Sequence, residues 1–331
     1  MSEYLSAPIK VSYDITYKCN LSCQHCRISE EHVKGKELSF TDVRNLIDEL
    51  SAMRVFIFGI SGGEPLTRND LVDIVAYSAN SNIARIFLST NCTLLGDDIL
   101  TKLRIYRDKL VFKVSIDGIG VTHDRIRGAI KAFDKTVNGI ELAIKLGFRV
   151  NVTTTLMKSN FHDIIDIIEL MKKLGVQKHR IIDVMPLGKT NTDLLLSDID
   201  RRSIWSTFNN NEERLIDSNF DVTLDIPFIK QSYTEFNCRA GISECGILPD
   251  GTVVGCRLIP EFTSGNVKDK KFKEIWEDAE SFKPFRNLVL NDIKGKCPNC
   301  KYIGSCKGGC KAYTMSVYND FYMPDPRCFL T

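Results

Sequence analysis

Short runs rich in branched and aromatic residues recur through the first two thirds of the chain, and longer segments with apolar side chains at every third or fourth position lie between them. The short runs occupy residues 10–16, 55–61, 84–89, 110–116, 148–156 and 180–185. Their Val, Ile, Phe, Leu and Thr content predicts parallel strands, buried on both faces beneath crossover helices. The clearest helix start is Ser39, whose hydroxyl can cap a first turn with Asp42 three residues on, ahead of Val43, Leu46, Ile47 and Leu50 on one face. Further helices are predicted over 70–81, 97–106, 133–146 and 161–174, the last two stopped by Gly147 and Gly175. Residues 198–217 are expected to form another, and the polar stretches 209–213 and 217–219 lead toward the C-terminal part.

Strand and helix alternating in this way predict the α/β class: six β/α units in a partial (β/α)6 TIM-like barrel, with functional residues in the loops after the strand C-termini. A chain of 331 residues accommodates such a barrel and a smaller appendage. The expected division is a barrel over residues 1–220 and a small cysteine-rich domain over residues 221–331.

Charge changes this picture little. Lysine and arginine number 44 against 42 aspartates and glutamates, so no global field points to nucleic acid. The N-terminus has no apolar signal core, and no stretch reaches the about 18 apolar residues of a membrane span, so a cytoplasmic protein free of the membrane is expected. The 12 cysteines then matter, because a reducing compartment favours metal ligation over disulfides. They fall at both ends: Cys19, Cys23 and Cys26 in front, and eight between Cys238 and Cys328 behind, with Cys92 alone between.

The front group has the spacing C-x3-C-x2-C, in which close thiolates can wrap one corner of a cubane iron–sulfur cluster and leave the fourth iron open. Zinc is the alternative, but three cysteines make an incomplete structural shell and His25 is poorly placed as a fourth ligand. The rear group runs Cys238-x6-Cys245-x10-Cys256, then Cys297, Cys300, Cys306, Cys310 and Cys328. Eight thiolates suit two four-ligand shells, of zinc or of iron–sulfur. Between Cys245 and Cys256 the sequence reads as a β-hairpin turning at Asp250-Gly251.

The front loop, with Ser61-Gly62-Gly63-Glu64-Pro65 after the second strand, resembles the signature of the radical S-adenosylmethionine (SAM) superfamily and its GGEP motif. Ser89-Thr90-Asn91 is similar to that family's TNG segment, with Cys92 where glycine is usual, and Ser115-Ile116-Asp117-Gly118 is similar to its SxDG segment. The resemblance implies that Cys19, Cys23 and Cys26 carry the catalytic cluster, that Glu64 receives the SAM amino group, and that Gly62, Gly63, Pro65, Asn91, Ser115, Asp117 and Arg127 surround the cofactor. It also implies reductive cleavage of SAM to a 5′-deoxyadenosyl radical, which abstracts a substrate hydrogen. Residues 151–155 and 185–186 either line the pocket or fill the barrel. Cys92 reads as a small buried apolar side chain.

The rear pattern resembles the SPASM domain that follows radical SAM barrels and binds auxiliary [4Fe–4S] clusters. By analogy with the anaerobic sulfatase-maturating enzymes, Cys238, Cys245, Cys256 and Cys310 would hold one cluster and Cys297, Cys300, Cys306 and Cys328 the other, giving three [4Fe–4S] clusters in all. Such enzymes mostly modify peptides, so the resemblance implies an oxidoreductase of peptide maturation: cross-linking, oxidation or epimerisation. With the first strand beginning near Lys10, no N-terminal leader-binding module is expected, so either a separate leader-binding protein delivers the peptide or the substrate is recognised otherwise. A ferredoxin or flavodoxin-type protein would supply electrons. The alternatives are oxidation or decarboxylation of a small molecule or tetrapyrrole, and a non-catalytic metal-binding regulator, which Glu64 and the open three-cysteine site argue against.

Overall fold

The computed structural model describes residues 4–28, 36–225 and 238–328. Six parallel strands follow one another in chain order: β1 (Lys10–Thr16), β2 (Ile57–Gly62), β3 (Arg85–Thr90), β4 (Leu110–Ser115), β5 (Arg149–Leu156) and β6 (Lys178–Asp183). A seventh, β7 (Asp221–Asp225), pairs in parallel with β6 and ends that side of the sheet. Beyond β1 the sheet continues through β8 (Glu244–Ile247), β9 (Thr252–Val254) and β10 (Thr263–Asn266), so it stays open as a partial barrel. The rear segment is thus stitched onto the barrel: β8 runs parallel to β1, with Val11 opposite Cys245. We propose the division at 220/221 on sequence grounds; pairing alone attaches β7 to the barrel side, and residues 226–237, which follow it, lie outside the described residues.

The helices form where the periodicity places them. At α1 (Phe40–Ala52) the Ser39 hydroxyl accepts the Asp42 N–H at 3.2 Å while Asp42 accepts the Ser39 N–H at 3.0 Å, a reciprocal cap. The next four are α2 (Leu71–Asn80), α3 (Asp97–Leu103), α4 (Val121–Arg127) and α5 (Ala132–Lys145), then α6 (Ile164–Lys173). Gly147 and Gly175 take φ of +84° and +79° just past α5 and α6, a left-handed backbone that stops a helix. The single helix expected over 198–217 is instead α7 (Asp198–Asn209) and the one-turn α8 (Glu212–Leu215). Three consecutive asparagines, Asn209 to Asn211, break it, since their side chains compete for backbone hydrogen bonds.

β1 is buried on both faces from Val11 to Thr16, whereas β3, β5 and β6 alternate. In β5, Val150, Val152, Thr154 and Leu156 are buried, while Arg149, Asn151, Thr153 and Thr155 between them are partly exposed. The buried positions of β2 to β5, Phe58, Ile60, Ile86, Leu88, Phe112, Val114, Val150 and Val152, meet Val43, Ile74, Ile140 and Ile167 from the helices in the main core. The opposite, concave face carries polar side chains and remains open. A second, smaller core of Ala240, Ile259, Phe285, Ala312 and Phe321 supports the rear segment. Among the described residues no helix is long and apolar enough to cross a membrane.

Candidate active site

The loop bearing Cys19, Cys23 and Cys26 leaves β1 and is clamped from two sides. On one side the Gly63 N–H donates to the Thr16 carbonyl at 2.7 Å and the Glu64 N–H to the Lys18 carbonyl at 2.8 Å. A Cβ on Gly62 would sit 2.1 Å from the Thr16 oxygen, and one on Gly63 2.2 Å from the Lys18 oxygen, with Gly62 at φ +124°. The two glycines therefore serve first to let the backbone reach the chain's own cysteine loop, and only secondarily to admit a ligand. On the other side, the N–H groups of Ser22 and Gln24 donate to the carbonyls of Arg127 and Ile126, at 3.3 and 2.9 Å, at the end of α4.

Glu64 is completely buried and acts as a strut between β2 and β3. Its Oε1 accepts from the Thr90 hydroxyl at 2.8 Å and the Leu66 N–H at 3.0 Å, and its Oε2 from the Asn91 N–H at 2.7 Å. Burial pushes its carboxyl above the usual range, against the pull of these hydrogen bonds. Pro65 opens the short turn that follows it. Asn91 also faces the cysteine loop, donating from Nδ2 to Asn20 Oδ1 at 2.9 Å. The next residue, Cys92, has φ +67°, which explains why glycine is usual there. It is fully buried, as expected, and its sulfur fills the space beside Gly139 of α5, where a Cβ would lie 2.6 Å from it.

Asp117, also fully buried, anchors the loop's far side. Arg127 Nη2 lies 2.6 Å and His25 Nε2 3.3 Å from its Oδ2, while the Thr155 N–H donates to Oδ1 at 2.8 Å. Burial pushes this carboxyl up, but Arg127 and then His25 outweigh it and hold it below the usual range. Arg127 Nη1 stands 3.7 Å from the Cys23 sulfur, so one arginine joins a proposed ligand to the anchor. His25 was read from sequence only as a poor metal ligand; its place between two cysteines was the signal for a bracing role. Its own pKa is lowered, chiefly by burial, with Asp117 opposing.

Cys19, Cys23, Cys26, Gly62, Gly63, Asn91, Ser115 and Arg127 share one cavity of about 550 Å³ at the C-terminal ends of the strands, bounded behind by Leu258, Cys310 and Arg327. Of the 151–155 and 185–186 segments, Thr155 and Met185 line it. Glu64 and Asp117 stand behind this wall. The volume falls in the ordinary small-molecule range of about 300–1,000 Å³.

The rear cysteines sort into two groups. Cys238, Cys256 and Cys310 pack against the second core, and the Cys238 thiol, raised mainly by burial, also feels Cys256 and Cys310. Cys297 neighbours Cys328 and Cys300, and Cys306 neighbours Cys328 and Cys297. This includes the crossover of Cys310 and Cys328 that the family pattern implies. Cys245 does not join either group. Gly246 faces Arg257, whose Cγ would be 2.2 Å from a Cβ there, so its neighbour Cys245 points to the opposite face of β8 and lies 4 % exposed in the main core. Cys245 was expected to complete the first auxiliary shell; the structure sets it apart from Cys238, Cys256 and Cys310, and on that placement we propose a first shell without it. Among the described residues no group of three His, Cys, Asp or Glu side chains is arranged to hold a single metal ion.

The fold and these motifs define the class: the chain belongs to the radical SAM superfamily, enzymes that use SAM and [4Fe–4S] clusters. Residues 13–171 match the radical SAM superfamily and residues 238–307 the iron–sulfur cluster-binding SPASM domain. Among curated relatives it is 32 % identical to the AdoMet-dependent heme synthase of Methanosarcina barkeri, over 98 % of this chain and 97 % of that one. It is 29 % identical to the mycofactocin maturase MftC of Mycolicibacterium smegmatis, over 98 % of this chain and 83 % of the other. Among solved structures, SuiB of Streptococcus suis bound to S-adenosylmethionine superposes with a TM-score of 0.83 at 16 % identity, covering 99 % of this chain and 79 % of that one. The enzyme anSMEcpe with bound AdoMet gives 0.74 at 18 %, covering 96 % of this chain and 93 % of the other. These two share the fold.

Proposed function

We propose that this radical SAM enzyme modifies a residue of a peptide or protein by cross-linking, oxidation or epimerisation, in the cytoplasm. The observation that carries the reading is the open cavity of about 550 Å³, which gathers the cysteine loop with Asn91, Ser115 and Arg127 and can admit a side chain presented from outside. Full-length similarity to a maturase supports it. Cys19, Cys23 and Cys26 would hold the SAM-binding cluster, with their loop fixed by Gly62, Gly63 and the Asp117–Arg127 pair. When bound, the cluster and SAM supply a 5′-deoxyadenosyl radical that takes a hydrogen atom from the substrate. Ser115 and Asn91 would hydrogen-bond the cofactor at the wall, Arg127 would neutralise its carboxylate or a thiolate, and Glu64 would meet its ammonium after giving up one protein hydrogen bond. Pro65 would stiffen that turn. Cys238, Cys256 and Cys310, and separately Cys297, Cys300, Cys306 and Cys328, would hold auxiliary clusters that pass the remaining electron. A separate leader-binding protein and a ferredoxin or flavodoxin-type donor would complete the system.

A second reading, oxidation or decarboxylation of a tetrapyrrole, is favoured by the 32 % identity to a heme synthase along both chains. A deuterium-labelled peptide encoded beside the enzyme separates the two. Label should reach 5′-deoxyadenosine, and the mass of unlabelled peptide should fall by about two units for a cross-link or oxidation and stay unchanged for epimerisation. Transfer from a tetrapyrrole and from no peptide would sink the first reading.

A further inference from the structure

The concave face beneath the cysteine loop carries charges that the reaction above does not use. Asp14 of β1, fully buried, is paired with both Arg27 and Arg257. Nearby, Lys10 lies 2.8 Å from Glu244, and Arg180 pairs with Asp225. Among the described residues Lys113 of β4 has no carboxylate within ion-pair reach; its Nζ stands 4.6 Å from the centre of the Phe87 ring. Burial first, then Lys10 and Arg180, with Arg257 adding and Glu244 opposing, push its pKa down to about 8. Among the described residues five cationic side chains thus face three carboxylates, each already holding at least one of them. Arg27 and Arg180 line the cavity, as does Ser115, two residues beyond Lys113 and so on the same face of β4.

We propose that this face is a carboxylate-binding subsite in which Lys113, with Arg180 beside it, receives an acidic group of the substrate. The excess positive charge is held in a partly desolvated concavity, where an anion gains most from it. The inference rests on the peptide reading for the source of the acid, an aspartate or glutamate near the modified residue; a tetrapyrrole propionate offers the same chemistry.

Titration calorimetry on the reconstituted full-length enzyme tests it, with N-acetyl-Gly-Glu-Gly-amide, its Gln counterpart and coproporphyrin III as probes. The glutamyl peptide should bind about tenfold tighter than the glutaminyl one. That preference should vanish in Lys113→Met, survive in Lys113→Arg, and in the native enzyme weaken above about pH 8 as Lys113 loses its proton. Lys113→Met removes an unpaired buried charge and so should fold, which melting confirms. Porphyrin binding that depends on Lys113, without any peptide preference, keeps the subsite and overturns the peptide reading. A preference that persists in Lys113→Met, or no Lys113 dependence for any probe, overturns the subsite itself.

Discussion

The two cysteine-bearing ends of the chain acquire their geometry by different routes. In front, Cys19, Cys23 and Cys26 lie on one short loop held by backbone hydrogen bonds from Gly63 and Glu64 and to the end of α4, and all three reach the same cavity. Behind, eight cysteines are spread over strands, turns and the chain end, and seven of them form two groups while Cys245 is drawn into the main core. Spacing within a loop leaves few ways to arrange the thiols. Across a β-hairpin a shift of one residue reverses the face, so spacing alone does not say which thiols meet.

The largest effect should come from breaking the front loop. Replacing Cys19, Cys23 and Cys26 together by alanine should abolish 5′-deoxyadenosine formation and leave the rear clusters visible by paramagnetic resonance; persisting SAM cleavage would refute the assignment. Next is the brace behind that loop. Asp117→Asn leaves Arg127 buried without its counter-charge and should cost about 3–5 kcal/mol in denaturant unfolding. Because the folded Asp117 carboxyl lies below the usual range, its contribution is complete above its unfolded pKa and is lost as pH falls through the folded value. The gap between native protein and variant should therefore close below about pH 4. A gap independent of acid pH would show that the pair does not act through charge.

A smaller effect sharpens the view of the front region as tightly fitted. Gly139→Ala drives a Cβ toward the Cys92 sulfur and carbonyl oxygen and should cost about 1–3 kcal/mol, with only the sulfur's part of it restored by adding Cys92→Gly. Additive costs in the double variant would separate the two residues. The smallest effect is expected at the rear. Cys245→Ala should keep all its iron and lose about 1 kcal/mol of stability, whereas Cys256→Ala should lose about four iron atoms per chain. Equal iron loss in both would return Cys245 to the ligand set.

Much of the molecule was legible in the sequence because its determinants are local. β1 begins and ends where the apolar run does, the Ser39 cap forms as its spacing requires, and the cysteine loop, Gly62-Gly63 and Ser115 meet because each follows a strand of one parallel sheet. What the sequence by itself determined, then, was the class of the fold, the end of the barrel that carries the site and the pairing of that site with a cysteine-rich segment. Only the tertiary structure decided which polar residues line the cavity and which stand behind its wall. Glu64 and Asp117 read as cofactor contacts, yet their carboxylates are turned to Thr90, Asn91, Arg127 and His25, partners distant in sequence that a buried charge must find. The polar concave face and the exclusion of Cys245 have the same origin. Side-chain alternation assigns every strand residue to one face or the other, and only the packing of helices on the outer face decides which of the two becomes core.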